Sequence, residues 1–600
     1  MEIQLSFAIT THHGNLVIDD EPINISITST VSHMLSVMKE KLAALLGHYD
    51  DYDLKLWKLP QPLPIGTGAL YIAVENIQYH SVKDADMGVG DLKPLHRSCW
   101  ISNYWTEQPE DSCVHFVVQL PEGVRREYAP TGISKGGHEL VDADPATVKC
   151  LKYEEARQND VQATHLDPSP SSAAVPPVLG HTQAKHPVLN GRPSNNYGPP
   201  VGLFHPVFNS FKAAVSSKAP LNADAAMYEH ARNFLEASAA IYPLEGDRLA
   251  AIDPHMGNLI GHRMRGVVGY GVTSHGVILQ ELKDTTAAFV ALREAKNEIG
   301  TASSDPYNQA SFSYRKYWAG AEQKAIRERS YCPTIIIAIA GPWFCVMGGV
   351  FGERVIVQPL TDYMWLGVDP SSDQHLDNTV RLFAALKDAI STLQDYYAHL
   401  LDVEVPSPSG FPFIQGYGPG SENTFTYVES LVDTEKYPTK LIYKVRCDQS
   451  GKSLVVKFVS RYNALAHRLL AEHQLEPHLH DAGTEDSEAS TYGGRYMIVM
   501  DFVNGGSLSA LSTDQFDQVK EAVEVLHSNG YVFGDLQLSN ILVANLGGKV
   551  KLVDFDWCNR EDEGRYPANI NVRDIPWPNG VRPGAPMKKQ HDLDMLSRLR

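Results

Sequence analysis

Two short polar stretches near the C-terminus bracket a hairpin, and they leave that part of the chain little choice of fold. The first is Phe533-Gly534-Asp535-Leu536-Gln537-Leu538-Ser539-Asn540 and the second is Leu552-Val553-Asp554-Phe555-Asp556. Between them, Ile541-Leu542-Val543 and Val550-Lys551-Leu552-Val553 flank a Gly547-Gly548 turn. That pattern reads as a β-hairpin. Such a hairpin gathers an acid, an amide and a second acid around its base. Asp535 suits the orientation of a nucleophilic hydroxyl. Asn540 and Asp554 suit a Mg²⁺ ion held against a nucleoside triphosphate.

Upstream, Ser453 to Val459 alternates as a strand with Lys457 facing away from its apolar neighbours. A helix is expected from Tyr462 to about Gln474, followed by a strand from Tyr496 to Phe502 that includes Asp501. The order of strand lysine, helix, strand, DxxxxN, hairpin and DFD resembles the protein-kinase superfamily. The resemblance implies a bilobal protein-kinase-like domain over residues 411–600. In it, Lys457 grips ATP, the segment around Asp501 forms the hinge against adenine, Asp535 is the catalytic acid, and Asn540 and Asp554 bind Mg. It also implies a helix glutamate paired with Lys457, for which Glu472 is the only acid available. Several positions depart from the pattern. No G-x-G-x-x-G precedes Lys457, and Gly416, Gly418 and Gly420 lie earlier. Phe533, Gly534, Gln537 and Asp556 stand where the family has His, Arg, a basic residue and Gly. Ala585-Pro586-Met587 is a worn form of the APE motif.

Six hundred residues exceed what one core holds, so a multidomain α+β chain is expected. A formal charge of −19 disfavours a protein that binds nucleic acid or anionic membrane over its whole surface. Seven cysteines are scattered without a CxxC pair, which disfavours zinc and disulfide frameworks and suits a reducing compartment. Met1 to Phe7 reads as a strand and not as a signal peptide. Thr334 to Gly352 is uncharged, but Gly341-Pro342 and Gly348-Gly349 interrupt it. Two buried strands around a turn are expected there, and no membrane span.

Residues 1–121 carry the signature of strands around one helix. Ile23, Ile25 and Ile27 alternate with polar residues, and Ser32 precedes Leu35, Met38, Leu42 and Leu45 at helical spacing. A β-grasp, ubiquitin-like fold is expected. Leu54-Lys55-Leu56-Trp57-Lys58-Leu59, Asp91-Leu92-Lys93-Pro94-Leu95 and the strand from Val114 to Pro121 resemble the N-terminal header of Crinkler effectors. That family implies a secreted effector acting in a host cell, the nucleus included, with cytoplasmic location as the runner-up. The proline-, serine- and glycine-bearing stretch 122–210 is expected to be a flexible linker.

Residues 211–402 form a second expected unit, closed by a helix near Asn378–Leu401 whose Val380, Phe383, Leu386, Ile390, Leu393, Tyr397 and Leu400 share one face. Val277 to Gln280 and Ala288 to Leu292 flank a Lys283-Asp284-Thr285 turn, and the second strand runs into Glu294-Ala295-Lys296. Residues two apart on a strand face one side, so Glu294 can bind a metal while Lys296 steadies developing charge. Gln309, Tyr314 and the run Arg315, Lys316, Lys324, Arg327 and Arg329 follow, a composition suited to a phosphodiester backbone. These residues resemble the PD-(D/E)xK nucleases, which implies an α/β restriction-endonuclease-like domain and DNA as a partner. The place of the first metal-binding Asp reads Thr273-Ser274-His275-Gly276. The leading expectation is an ATP- and Mg-dependent phosphotransferase, a probable protein kinase with a protein substrate. Aminoglycoside- or choline-type acceptors also fit the Gly534-Asp535 pair. The alternatives are a DNA nuclease with a regulatory kinase-like unit, and a non-enzymatic scaffold.

Overall fold

The computed structural model describes residues 2–5, 7–10, 16–18, 23–26, 28–41, 55–64, 93–94, 101–105, 107, 113–119 and 145–600, save 270–271, 284–285, 302, 368, 370, 403–408, 435, 484–490, 506–509 and 545–548. The first unit comprises β1 (Glu2–Leu5), β2 (Phe7–Thr10), β3 (Leu16–Ile18), β4 (Ile23–Ser26), α1 (Val31–Lys41), β5 (Lys55–Pro64), β6 (Lys93–Pro94) and β7 (Cys113–Gln119). Five of its strands form one sheet in the order β3-β2-β7-β5-β6, with β2 parallel to β7. Val31, Met34, Leu35 and Met38 are the buried face of α1. Ile27, Leu42, Leu45, Leu54, residues 91–92, Leu95, Leu120 and Pro121 lie outside the described residues.

The stretch 145–210 is not the flexible linker expected over 122–210. It folds into α2 (Pro145–His165), α3 (Pro176–Lys185) and the start of α4 (Pro206–Ser216). Tyr153, Val161, Leu179, Leu203 and Phe208 are buried. Three of the prolines that suggested a linker, Pro170, Pro176 and Pro177, sit in the first turns of helices, where a missing N–H costs nothing. Residues 122–144 lie outside the described residues.

Next come α5 (Ala225–Ala239), α6 (Glu245–Ile260), β8 (Arg265–Gly269), β9 (Val272–Glu281), β10 (Ala287–Lys296), α7 (Pro306–Trp318), β11 (Thr334–Ala340), β12 (Trp343–Phe351), β13 (Val355–Pro359), β14 (Met364–Trp365) and α8 (Asp373–His399). The sheet runs β13-β12-β11-β10-β9-β8, and β10 and β11 are its parallel pair. A parallel pair needs a crossover, and α7 supplies it. Asp305 caps α7 and Pro306 opens it. The uncharged stretch forms β11 and β12, turning at Gly341 with φ +56°, where a Cβ would meet Glu298. No helix among the described residues is long and apolar enough to cross a membrane.

The last part contains β15 (Gly416–Tyr417), β16 (Asn423–Ser430), β17 (Leu441–Cys447), β18 (Ser453–Val459), α9 (Ala464–Leu469), β19 (Leu479–Ala482), β20 (Tyr496–Asp501), α10 (Thr513–Ser528), β21 (Tyr531–Val532), β22 (Ile541–Val543), β23 (Val550–Leu552), β24 (Asn559–Arg560) and α11 (Lys589–Ser597). Its main sheet runs β15-β16-β17-β18-β20-β19. The period-two alternation of these strands decides which neighbour each face meets. Phe425, Tyr427, Tyr443, Val445, Leu454, Val456 and Phe458 join one continuous core with the preceding unit. Val459, Ile498 and Met500 join a second core with α10, β22 and β23. The sheet is therefore a layer shared by two units. Hydrogen bonds stitch the same junction: Tyr331 Oη donates to Phe411 O at 2.9 Å and Phe413 N–H to Leu203 O at 2.9 Å.

Candidate active site

Lys457 lies on the β18 face opposite the shared core and is buried. Its Nζ is 2.7 Å from Asp554 Oδ1 and 2.6 Å from Asp556 Oδ1. Burial acts to lower the lysine pKa, and the two carboxylates more than reverse that, so the ammonium stays charged. The β22–β23 hairpin brings the remaining groups together. Ile541 pairs with Leu552, and just below that pair Val553 N–H donates to Asn540 O at 3.0 Å. Asn540 Nδ2 donates to Asp535 O at 2.9 Å. The hairpin base thus places Asp535, Asn540 and Asp554 side by side, with Lys457 reaching Asp554 from across the cleft.

Asp554 adopts φ +73°, a left-handed conformation that few non-glycine residues take and that aspartate tolerates better than most. Its side chain keeps 34% exposure, which leaves it open to a cation. Burial would raise its pKa, but the Lys457 charge holds it below the usual carboxylate range. Asp535 is pushed up to about 6, mainly by burial and then by the Asp554 charge, while a hydrogen bond from Gln537 opposes the shift. Lys440, in the loop before β17, adds positive charge that favours the ionised forms of Asp535 and Asp554. A cavity of about 820 Å³ lies apart from this cluster, lined by Tyr153, Asp160, His186 and Tyr443 among others, and none of the four catalytic-type side chains lines it.

Asp592 on α11 supports this cluster from behind and was missed by sequence reasoning. It is fully buried, and it accepts the N–H groups of Phe533 and Gly534, each at 2.8 Å, with His527 Nε2 at 3.0 Å. A buried carboxylate needs such partners, and this one fixes the backbone leading into Asp535. Its signal was an acid at i, i+3 and i+4 spacing with the core residues Met595 and Leu596. Gly534 adopts φ +82°, a left-handed conformation that favours glycine, and it faces the tip of the Met587 side chain. That backbone suits glycine at a position where the family has Arg.

Other expectations need correction. The helix after β18 spans only Ala464–Leu469, because the chain turns back and Leu475 N–H bonds Leu470 O at 3.1 Å. Glu472 is exposed beyond it and does not meet Lys457. Asp501 does not turn toward the cleft: its N–H bonds His478 O at 2.9 Å and its carboxylate meets His480 at 2.8 Å. Gly416 and Gly418 lie on and beside the edge strand β15, where Gly418 N–H bonds Asp481 Oδ2 at 2.7 Å, away from the β16–β17 turn.

The Glu294–Lys296 pair sits on β10 as spaced, but Glu294 is not free for metal. It is fully buried. Ser313 donates to one oxygen at 2.7 Å, and Gln309 (2.9 Å) and His275 (2.7 Å) meet the other. His275 also meets Glu245 at 2.7 Å. Burial works against its charge, yet the two carboxylates raise its pKa to about 9, so it is an imidazolium between two acids. An imidazolium occupies the place where a first metal-binding Asp was expected, and Asp284 lies outside the described residues. Lys296 is buried on the same strand. No group of three His, Cys, Asp or Glu side chains among the described residues is placed to hold a metal. Only part of the basic run on and after α7 points inward: Lys324 is exposed and pairs with Glu328 at 3.7 Å, and Lys316 and Arg329 are half-buried. Arg315 and Arg327 are buried, Arg315 bonding Thr164 Oγ1 at 2.7 Å and Arg327 bonding the carbonyls of Trp318 and Gly320. Tyr314 is buried against Cys332 O at 2.8 Å. Arg315, Arg327 and Tyr314 are therefore taken up by the core.

No family model matches the chain. Over 161 residues the chain is 26% identical to Protein kinase C-like 2 of Schizosaccharomyces pombe, which is 25% of this chain and 15% of that protein. That likeness supports a kinase-like domain. The chain spans about one-seventh of the length of that relative, so the relative's whole-protein activity does not carry over. Among solved structures, the BubR1 kinase domain matches at a TM-score of 0.24 and 15% identity, covering 31% of this chain and 65% of that one. The Cydia pomonella granulovirus kinase PK-1 matches at 0.20 and 18%, covering 26% and 60%.

Proposed function

We propose that residues 411–600 form an ATP- and Mg-dependent phosphotransferase that acts on a hydroxyl, most simply of a protein substrate. The observation that carries this reading is the hairpin-based cluster of Asp535, Asn540 and Asp554, reached across the cleft by a charged Lys457. The donor set fits Mg²⁺, a hard cation that favours carboxylate and carbonyl oxygen. Asn540 and Asp554 would hold the metal, and Lys457 would face the phosphates. Bound Mg-ATP would supply the transferable phosphoryl group and withdraw charge from it. Asp535 positions the acceptor hydroxyl and takes its proton as the new P–O bond forms and ADP leaves. Labelled phosphate should pass from ATP to a protein acceptor with the full chain. It should be lost by about 10²–10⁴-fold in Asp535→Asn, with nucleotide binding retained; equal transfer by both proteins would refute the assignment.

The titration of Asp535 near 6 sets a pH limb. The base must be ionised, and its ionised fraction falls as pH drops through that value. Below about pH 6 the rate is expected to fall about tenfold per unit. A flat profile between pH 5 and 7 would exclude Asp535 as the base.

The strand order β3-β2-β7-β5-β6, with β2 parallel to β7, supports a β-grasp reading of the described strands in residues 1–121. The Crinkler reading of that unit, with secretion and action in a host cell, rests on the sequence resemblance alone. For the middle unit, the order α6-β8-β9-β10-α7-β11 supports a nuclease-like frame. Its carboxylate is already paired with His275, so a structural role is the stronger reading. The full chain is expected not to nick supercoiled DNA with Mg²⁺ or Mn²⁺. Nicking that disappears in Glu294→Ala would restore the nuclease alternative.

A further inference from the structure

A lysine as buried as Lys457 needs a carboxylate to keep its charge and its aim. Two are within reach, Asp554 and Asp556. On the phosphotransfer reading, Asp554 has a second task. It must turn its oxygens to the cation when Lys457 has to face the phosphates. One carboxylate cannot serve fully as metal ligand and as lysine anchor. The helix that follows β18 offers no replacement. Ala464–Leu469 contains no acid, Glu472 is exposed, and Glu476 is engaged by His467 at 2.6 Å.

Asp556, by contrast, is held from both sides. Asn463 N–H donates to Phe555 O at 3.3 Å, and Asn463 Nδ2 donates to Cys558 O at 3.2 Å. His467 stacks on Phe555 with ring centroids 4.6 Å apart and planes 6° from parallel. Phe555 also meets Phe533 edge-on at 5.4 Å. The start of α9 therefore clamps the backbone on either side of Asp556, and its carboxylate arrives at Lys457 pre-oriented.

We infer that Asp556 is the positioning residue that keeps Lys457 aimed into the cleft while Asp554 engages the metal. The anchor comes from the metal loop itself and not from the neighbouring helix. α9 acts on the lysine only indirectly, by fixing that loop. This inference rests on the phosphotransfer reading.

The test is calorimetric titration of the full chain with a non-hydrolysable ATP analogue, with and without Mg²⁺. The native protein should bind more tightly with Mg²⁺. In Asp556→Asn, metal-free binding should stay within roughly twofold, because Lys457 keeps Asp554, whereas the tightening by Mg²⁺ should shrink about tenfold or more. An undiminished Mg²⁺ effect in Asp556→Asn overturns the inference. Thermal unfolding of Lys457→Met, Asp556→Asn and the double variant, without nucleotide, tests the pairing separately. Paired residues give non-additive shifts, and additive shifts also overturn the inference. Non-additive shifts in a native protein that binds no nucleotide would retain the contact, reject the phosphotransfer reading, and overturn the positioning role with it.

Discussion

Cutting the chain just before Phe411 is expected to leave a C-terminal fragment that does not fold as a soluble, cooperative unit. The reason lies in the shared sheet. Phe425, Tyr427, Tyr443, Leu454, Val456 and Phe458 are buried in a core that continues into the preceding unit. Phe411 stacks on Tyr427 at 4.9 Å, and the Lys149 ammonium of α2 lies 4.2 Å from the Phe411 ring centroid. A large apolar side chain gains about 1.5–3 kcal/mol from full burial. Partial exposure of half a dozen forfeits on the order of 10 kcal/mol, the size of a domain's whole stability. A fragment starting before α2 keeps these partners and is expected to unfold in one cooperative transition. Size-exclusion chromatography and thermal unfolding of the two fragments decide the matter. A monomeric 411–600 fragment with a sharp transition would show that the two units are independent.

Replacing Asp554 has the second large expected effect. Asp554→Ala should lower phosphate transfer by at least about 10²–10³-fold, the usual loss when a preorganised electrostatic group is removed from a reacting centre. Folding should survive, because Lys457 retains Asp556 at 2.6 Å and is not left as an unpaired buried charge. The separation of the two effects is the informative part. Circular dichroism and thermal unfolding should stay close to those of the native protein while transfer collapses. Loss of folding together with activity would mean that Asp554 chiefly neutralises the lysine. Transfer at native rates would remove it from the metal site.

Local patterns were the legible part of this chain. The hairpin from Ile541 to Leu552 follows from apolar alternation around glycine, and the spacing of Asp535, Asn540 and Asp554 follows from the hairpin. The strand with Lys457 and the two strands of the uncharged stretch are readable in the same way, because strand period and turn residues are short-range signals. What depended on distant partners was not legible. Asp592 acts on Phe533 and Gly534 from a helix 59 and 58 residues away. Arg315 reads as surface charge in a basic run, yet it is buried against Thr164, 151 residues upstream. His275 became an imidazolium only because Glu245 and Glu294 converge on it from α6 and β10. The composition of 145–210 resembled a linker because its buried residues are spread over separate helices that pack against strands laid down later in the chain. The helix expected to supply the lysine's partner is short, and the second carboxylate on Lys457 came from Asp556, two residues beyond Asp554.

The central claim is that Lys457, Asn540 and Asp554 form one site for a metal-bound nucleotide. Thermal unfolding of the full chain with ATP, with and without Mg²⁺, tests it most directly. Ligand that binds only the folded state stabilises it, by about 2.7 kcal/mol at a concentration a hundredfold above Kd. The account expects Mg-ATP to raise the melting temperature of the native protein, ATP without Mg²⁺ to raise it less, and Lys457→Met to lose both shifts. No shift with millimolar Mg-ATP, or the same shift in Lys457→Met, would contradict it.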